Sequence, residues 1–229
     1  RDKINEVQHS YIDNFLTSTS ANTQTAFDAK DNPGYACKRF IFDNIIFEEA
    51  KKKADVIENF EVTDLIIENG KVAGVKGIDR EKKEREFRAN VIVGADGATS
   101  TVARKLELND FDTEKCLVAA RAYYENVEPV KGYIEFHFLG ELMPGYFWIF
   151  PVGNNEYNVG IAVVAGDVSK RKLNLKDKLN EIIAKSRFSD RFKNAKQITY
   201  IKGWNLPTGA QKKKRAGDGF ILIGDAASL

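Results

Sequence analysis

Short, unbroken apolar runs that end in glycine and aspartate are the clearest pattern in this chain. One closes the chain as Phe220-Ile-Leu-Ile-Gly-Asp-Ala-Ala-Ser-Leu229, and an earlier one reads Val91-Ile-Val-Gly-Ala-Asp-Gly97. Val and Ile without alternation suit strands buried on both faces, as in a parallel sheet. Ligands of open α/β sheets bind outside the carboxyl ends of such strands. Either turn alone fits an ordinary strand-to-helix turn with a capping Asp equally well, but two of them favour a nucleotide crevice.

Between these two turns the hydrophobic pattern changes to that of antiparallel strands. A hairpin is predicted from Val62 to Ile78 around Asn69-Gly70, the strongest short hairpin signal. Four more strands are predicted at Cys116–Tyr124, Tyr133–Phe138, Tyr146–Val152 and Tyr157–Val164. Helices are predicted at residues 11–16, from an Asp43 cap to about Ala54, and at Leu173–Phe188.

Two of the antiparallel strands carry candidate chemistry. Residues 133–138 alternate, which predicts one dry face (Ile134, Phe136 and Phe138) and a wetter face with Glu135 and His137. His137 is therefore interpreted as a surface or cross-strand residue rather than a catalytic one. Residues 146–151 are apolar on both faces, so each face needs a cover. The cover is either simple sandwich packing, or a bound apolar ligand or second domain.

The order of these elements predicts an α/β fold with a mostly antiparallel insert. Residues 1–110 and 207–229 form a parallel-sheet nucleotide-binding domain, and residues 111–206 form a substrate domain inserted into it. Because G-x-G-x-x-G is absent and no strand precedes Val7, the domain is expected to be incomplete at both ends, with its phosphate loop outside this sequence.

Composition narrows the class of protein. The 229 residues carry a net charge of +2, which gives no electrostatic argument for nucleic acid. No apolar run approaches the roughly 20 residues of a membrane span. Cys37 and Cys116 have neither metal-ligand spacing nor a disulfide framework, so no metal and a reducing, cytoplasmic setting are expected. The basic cluster at 212–215 is interpreted as a solvated loop, with a phosphate or lipid head group as the alternative ligand.

Several motifs resemble those of one enzyme family. Residues 91–100 resemble the DG motif, and residues 219–227 the GD motif, of FAD-dependent oxidoreductases related to the aromatic hydroxylases. Tyr35 and Arg39 followed by Phe42-Asp43 resemble the segment in which that family places an arginine by the flavin. The segment Tyr146-x-Trp148-x-Phe150-Pro151, followed by Gly160, is similar to the signature of the geranylgeranyl reductases.

The resemblance implies FAD as cofactor and assigns roles to residues. Asp225 would hydrogen-bond the ribityl chain, and Gly224 and Ala226 would let the backbone approach it. Asp96 and Gly97 would lie near the pyrophosphate and nicotinamide path. Further cofactor contacts are assigned to Arg39, by the flavin, and to Val62, a weaker candidate for the adenine. The substrate-binding walls of a long apolar pocket would be Tyr146, Trp148 and Phe150.

The implied activity is reduction of prenyl carbon–carbon double bonds by hydride from reduced flavin, with NADPH, NADH or another reductant as electron donor. No His, Cys or carboxylate is an evident proton donor, so the catalytic residue is unassigned. Two alternatives remain: a flavin-dependent monooxygenase or halogenase, and an electron-transfer flavoprotein. Peripheral contact with a membrane is a further expectation, because a prenyl chain is a lipid.

Overall fold

The computed structural model describes residues 2–109, 112–128, 130, 132–210 and 214–229. Its strands are β1 (Ser10–Ile12), β2 (Asn14–Thr19), β3 (Gln24–Asp28), β4 (Gly34–Ala36), β5 (Glu61–Glu68), β6 (Lys71–Ile78), β7 (Glu84–Arg88), β8 (Ile92–Gly94), β9 (Cys116–Glu125), β10 (Tyr133–Phe138), β11 (Gly145–Pro151), β12 (Glu156–Val164), β13 (Lys196–Gln197), β14 (Lys202–Pro207), β15 (Ala216–Gly217) and β16 (Phe220–Leu222). Its α-helices are α1 (Arg39–Ala50), α2 (Thr101–Lys105), α3 (Ala165–Lys170) and α4 (Leu175–Lys185).

The chain divides into two compact units, each made of two segments. The first unit contains Arg1–Ala54 and Val118–Trp204, and the second contains Asp55–Leu117 and Asn205–Leu229. The predicted α/β class with an antiparallel sheet segment is confirmed. The predicted boundaries differ from this division, which groups residues 1–54 with residues 118–204.

The first unit is built on an eight-stranded sheet whose order is β13-β9-β12-β11-β10-β2-β3, with β14 beside β9. Strand β2 lies parallel to β10, with Phe15 opposite Ile134 and Ser18 opposite His137. Residues 11–16 were predicted as a helix, and this prediction is wrong, since they lie in strands β1 and β2. Strand β2 is what joins the N-terminal segment to the sheet, so it also explains the shifted boundary.

Helix α4 covers one face of this sheet. The Asn174 side chain caps the helix by accepting hydrogen bonds from the backbone N–H of Lys176 and Asp177. Its apolar positions pack with the inward side chains of the strands; this core includes Leu175, Leu179, Ile182, Phe147, Ile149, Val159, Ile161 and Val163. The predicted helix at Leu173–Phe188 is confirmed, with narrower bounds.

The two faces of β10 are the reverse of the sequence prediction. Glu135 and His137 are both 2% exposed and lie on the helix-covered side, whereas Phe138 is 41% exposed. Polar side chains were expected on the wetter face because a buried carboxylate is costly without a partner. Here partners from distant segments satisfy both side chains. The interpretation of His137 as a cross-strand residue is confirmed, because it bonds Ser18 of β2. The expected surface position is wrong, because the side chain is buried.

The second unit contains two three-stranded sheets, ordered β15-β16-β8 and β5-β6-β7. The predicted hairpin is confirmed as β5 and β6, with Asn69 and Gly70 both at positive φ in its turn. Helix α2 packs on these strands through Val102 and Ala103. The core of the unit also includes Leu65, Val72, Phe220, Leu222 and Ala227.

Helix α1 begins four residues before the predicted cap. It starts at Arg39, and the Asp43 carboxylate accepts a hydrogen bond from Arg39 Nε at 3.0 Å within the first turn instead of capping the helix. Among the helices of the described residues, none has the length and apolar character needed to cross a membrane. Residues 211–213, and with them part of the basic cluster, lie outside the described residues.

Candidate functional site

The two Gly/Asp turns leave the same edge of one sheet. Strands β8 and β16 are parallel neighbours, with Phe220 opposite Ile92 and Leu222 opposite Gly94. The ladder continues past the strands, since Ile223 N–H donates to the Gly94 carbonyl at 3.0 Å. The carboxyl ends of both strands therefore point the same way, as the apolar runs predict. This is the edge at which an α/β sheet binds ligands.

The Asp225 turn is open toward that edge. Residues Gly224–Ala227 form a 3-10 turn, in which Gly224 has φ +56° and nothing within 4 Å of the place a Cβ would occupy. Ala226 is buried beneath the turn. Asp225 is half-buried, and within the described part of the chain its carboxylate has no hydrogen-bond or ion-pair partner. An acceptor without a partner beside open backbone fits the predicted contact with a polyol chain.

The Asp96 carboxylate is already occupied by the protein. It accepts hydrogen bonds from Ser100 Oγ at 2.5 Å and from the backbone N–H of Thr101 and Val102 at 2.7 and 3.1 Å. Ser100 in turn accepts from the N–H of Ala103 at 2.9 Å. Asp96 therefore fixes the start of α2, in agreement with the capping interpretation. Gly97, at φ +80° with open space beside it, leaves room for backbone approach, and the cofactor role of both residues remains a prediction.

The other two predicted cofactor residues belong to different units. Val62 is a half-buried residue of β5 in the second unit, opposite Gly77. Arg39 belongs to the first unit, where its backbone N–H donates to the Tyr123 hydroxyl at 3.3 Å and its side chain pairs with Asp43. Their predicted contacts with adenine and flavin remain predictions.

The three predicted substrate residues lie on one face of the first unit's sheet. Tyr146, Trp148 and Phe150 alternate along β11 with the buried Phe147 and Ile149. Phe136 of β10 is opposite Trp148, so the aromatic rings of β10 lie on the same side of the sheet. We call this surface the aromatic face; its members are Phe136, Phe138, Tyr146, Trp148 and Phe150.

The rings of the aromatic face contact one another. The centroids of Phe136 and Phe150 are 5.0 Å apart, and those of Tyr146 and Trp148 are 5.8 Å apart. Burial raises the pKa of Tyr146, so its hydroxyl keeps its proton at neutral pH. Helix α4 covers the opposite side of the strand, whereas Phe138 on this side is exposed. Residues 146–151 were expected to be covered on both faces. The cover on the side of Phe147 and Ile149 is α4.

Gly160 allows the Trp148 indole to lie over the neighbouring strand. The two residues are opposite each other in the β11–β12 pair. A Cβ at Gly160 would lie 2.5 Å from Trp148 Cζ2 and 2.6 Å from the Ala120 carbonyl oxygen. Any side chain there would displace the indole or the backbone. The Trp148 Nε1–H also donates to Asn158 Oδ1 at 3.2 Å, which fixes the orientation of the ring.

A buried polar chain lies on the helix-covered side of the same sheet. Arg191 donates to both carboxylate oxygens of Glu135 at 2.6 Å, and His137 Nε2 is 3.2 Å from Glu135 Oε2. His137 Nδ1 is 2.6 Å from Ser18 Oγ, which accepts from Arg187 at 2.6 Å. Arg187 can only donate, so with neutral histidine Ser18 donates to Nδ1 and Nε2–H donates to Glu135.

The charges of this polar chain follow from its burial. Burial lowers the pKa of His137 and outweighs the opposing effect of Glu135, so the imidazole is neutral at neutral pH. Burial alone would raise the pKa of Glu135, but the hydrogen bonds from Arg191 and His137 hold that pKa below its usual value. Hydrogen bonds connect a serine, a histidine and a glutamate here, as in a catalytic triad. However, Ser18 is only 2% exposed, and the carboxylate of Glu135 is already neutralised by Arg191. We therefore interpret these hydrogen bonds as structural: they connect β2 and β10 to the segment that follows α4.

The architecture is that of the FAD-dependent oxidoreductases. A geranylgeranyl bacteriochlorophyll reductase-like protein from Thermoplasma acidophilum superposes with a TM-score of 0.81 at 24% identity, covering 96% of this chain and 56% of that one. A flavin-dependent brominase superposes with a TM-score of 0.80 at 20% identity, covering 98% and 57%. At these identities the likeness establishes the fold alone.

Sequence comparison relates part of the chain to one family with this fold. Residues 112–204 match the model of the geranylgeranyl reductase catalytic domain. Digeranylgeranylglycerophospholipid reductases from Methanosarcina acetivorans and Methanosarcina mazei are 35% and 32% identical, each over 85% of this chain and 47% of their own length. These matches relate the chain to the geranylgeranyl reductase family of FAD-dependent oxidoreductases. It spans about half the length of the curated relatives it matches.

Proposed function

We propose that this chain is part of an FAD-dependent reductase that saturates carbon–carbon double bonds of a prenyl chain. The observation that carries the proposal is the aromatic face, a set of contacting rings on the side of the sheet that α4 does not cover. Flat aromatic side chains bind apolar chains through dispersion and exclude water. The names of the curated relatives, which are reductases of a digeranylgeranyl lipid, support the same substrate class.

In this proposal the second unit holds part of the cofactor. The Asp225 carboxylate accepts hydrogen bonds from the ribityl hydroxyls, and Gly224 and Ala226 permit close backbone approach. Gly97 leaves similar room beside Asp96. Arg39 would contact the flavin, and Val62 is a weaker candidate for a contact with the adenine. The flavin, once reduced by NADPH, NADH or another donor, supplies the hydride. The residues of this chain contribute binding, orientation and exclusion of water.

The second candidate function is oxygen-dependent hydroxylation or halogenation. The likeness of the fold to a flavin-dependent brominase supports it. An electron-transfer flavoprotein is a third option.

Anaerobic turnover of the full-length flavoprotein separates the three. With reductant and a geranylgeranyl substrate, the reductase should give products heavier by two hydrogens for each reduced double bond, measured by mass spectrometry. A product that forms only with oxygen would favour the second function, and reduction of a dye with no lipid product would favour the third.

Peripheral membrane contact is part of the same proposal, because a substrate with long prenyl chains resides in a bilayer. Co-flotation of the full-length protein with lipid vesicles tests it directly. Recovery of all protein in the vesicle-free fractions would contradict this part and leave the proposed reaction standing.

A further inference from the structure

An arginine that no motif singles out lies beside the aromatic face. Along β9, Ala120, Ala122 and Tyr124 belong to the helix-covered core, so Arg121 and Tyr123 point to the other side of the sheet. The place that a Cβ on Gly160 would occupy is 2.6 Å from Arg121 Cβ and 2.5 Å from Trp148 Cζ2. Arg121 and Trp148 therefore flank the same glycine on the same side.

Among the residues that the structure describes, no acid balances the charge of Arg121. Its guanidinium lies 4.7 Å from the centroid of the Tyr123 ring, and no described carboxylate forms an ion pair with it. Three charged groups near Tyr123 or on β9 are already paired: Lys38 bonds Glu156, Arg39 pairs with Asp43, and Glu125 pairs with Lys196. Two of these pairs lie close to the Tyr123 ring. Lys38 Nζ is 5.6 Å from the ring centroid, and the backbone N–H of Arg39 donates to the Tyr123 hydroxyl.

A half-buried guanidinium without an acceptor fits an anionic ligand. Arg121 is of intermediate burial, so part of its hydration is lost. Guanidinium has five N–H donors in a planar fork that matches a phosphate, and charge-assisted hydrogen bonds of this kind are about twice as strong as neutral ones. Contact with the Tyr123 ring further orients the fork.

We propose that Arg121 binds a phosphate carried by the prenyl substrate, and that it thereby selects anionic prenyl lipids over neutral ones. This inference rests on the proposed function, in which the prenyl chain lies on the aromatic face. Strands β9, β12, β11 and β10 are successive neighbours, so three strand spacings, about 14 Å, separate Arg121 from the rings of β10. A chain anchored by its phosphate at Arg121 crosses Trp148 before it reaches Phe136.

Equilibrium binding to the oxidised, full-length holoenzyme tests the inference without turnover. The probes are geranylgeranyl monophosphate and geranylgeraniol, which differ only in the phosphate. In a background in which Trp204 and any tryptophan outside residues 1–229 are replaced by phenylalanine, the fluorescence of Trp148 reports binding. Arg121→Gln should weaken binding of the phosphate about 10- to 100-fold and change binding of the alcohol less than about twofold. Arg121→Lys should recover part of the loss, since it keeps the charge but not the fork.

Arg85→Gln is the matched control. Arg85 also lies over an aromatic ring, 5.0 Å from the centroid of Phe87, but in the second unit. It should leave binding of both probes unchanged. Equal weakening of both probes by Arg121→Gln, or weakening of neither, would overturn the inference. So would loss of flavin absorbance or weaker binding of the nicotinamide donor, because the phosphate would then belong to a cofactor.

The outcomes keep the two proposals apart. Phosphate binding that depends on Arg121, in a holoenzyme that reduces neither probe, would contradict the proposed reaction and support the anion site. Reduction of both probes with binding that does not depend on Arg121 would support the reaction and overturn the anion site.

Discussion

Leu222 lies opposite Gly94 in the parallel pair of strands from which both Gly/Asp turns emerge. A Cβ at Gly94 would lie 2.7 Å from Leu222 Cδ2 and 3.0 Å from Val102 Cβ. The absence of a side chain therefore lets β8, β16 and α2 approach one another. Close packing at this point gives the two turns a common edge, although they are far apart in the chain.

Replacing Asp225 should remove the cofactor. Asp225→Ala deletes the only carboxylate of its turn, and in the full-length protein we expect loss of the yellow flavin absorbance after gel filtration. The cause is the loss of charge-assisted hydrogen bonds to the cofactor. Asp218→Ala, an exposed aspartate of the preceding turn, is the control and should retain FAD. Full flavin content in Asp225→Ala would refute the assigned site.

Replacing Asp96 should instead lower stability. Asp96→Ala removes the acceptor of three hydrogen bonds at the start of α2, and we expect the free energy of unfolding to fall by about 1 kcal/mol. Urea denaturation measures this change. Unchanged stability together with loss of flavin would show that the carboxylate serves the cofactor and not the helix.

The aromatic face should favour long prenyl chains. Trp148→Ala removes a ring that is 7% exposed, and we expect the transition state with a geranylgeranyl substrate to lose about 2–4 kcal/mol. The ratio kcat/KM for long against short prenyl substrates measures the effect. Trp204→Ala provides the comparison, because that tryptophan is 56% exposed. Equal effects of the two substitutions would remove Trp148 from the substrate site.

Acidification should destabilise the first unit through His137. Burial lowers the pKa of His137 in the folded state, whereas the unfolded side chain titrates near its ordinary value of about 6.5. Below that pH the unfolded state binds more protons, so the free energy of unfolding falls until the pH reaches the folded pKa. Glu135, whose folded pKa is also lowered, adds a further loss at lower pH.

Urea denaturation of the full-length holoenzyme between pH 7 and pH 5 measures the histidine contribution. His137→Gln should flatten the pH dependence in that window, whereas His9→Gln, which alters the second histidine of this sequence, should keep it. If His137→Gln retains the full dependence, His137 is not its source.

Local patterns in the sequence were sufficient for much of the fold. The turn at Asn69 and Gly70, the alternation in residues 133–138 and the apolar face of α4 each depend on neighbours in the chain. The assignment of faces on β10 failed because the partners of Glu135 and His137, namely Arg191 and Ser18, are remote in sequence. Burial of a charge depends on such partners, which no local pattern reveals.

The candidate site was predicted to a similar extent. The motifs identified the two turns and the three rings of β11, and strand pairing then added Phe136 and Phe138 to the aromatic face. Arg121 was missed because its importance comes from Gly160 and Trp148 on other strands. The available signal was a single charged residue within the otherwise apolar run at residues 116–124, since a charge inside a strand requires a partner.

The parallel insertion of β2 beside β10 limits how this protein can be divided. A fragment cut to the matched residues 112–204 would lack β2 and β3, and β10 would become an open edge with unpaired N–H and C=O groups. His137 would also lose the Ser18 hydroxyl, which is the hydrogen-bond partner of its Nδ1. Any transplant of this sheet into another protein must therefore carry residues 14–28 with it, or supply a substitute strand.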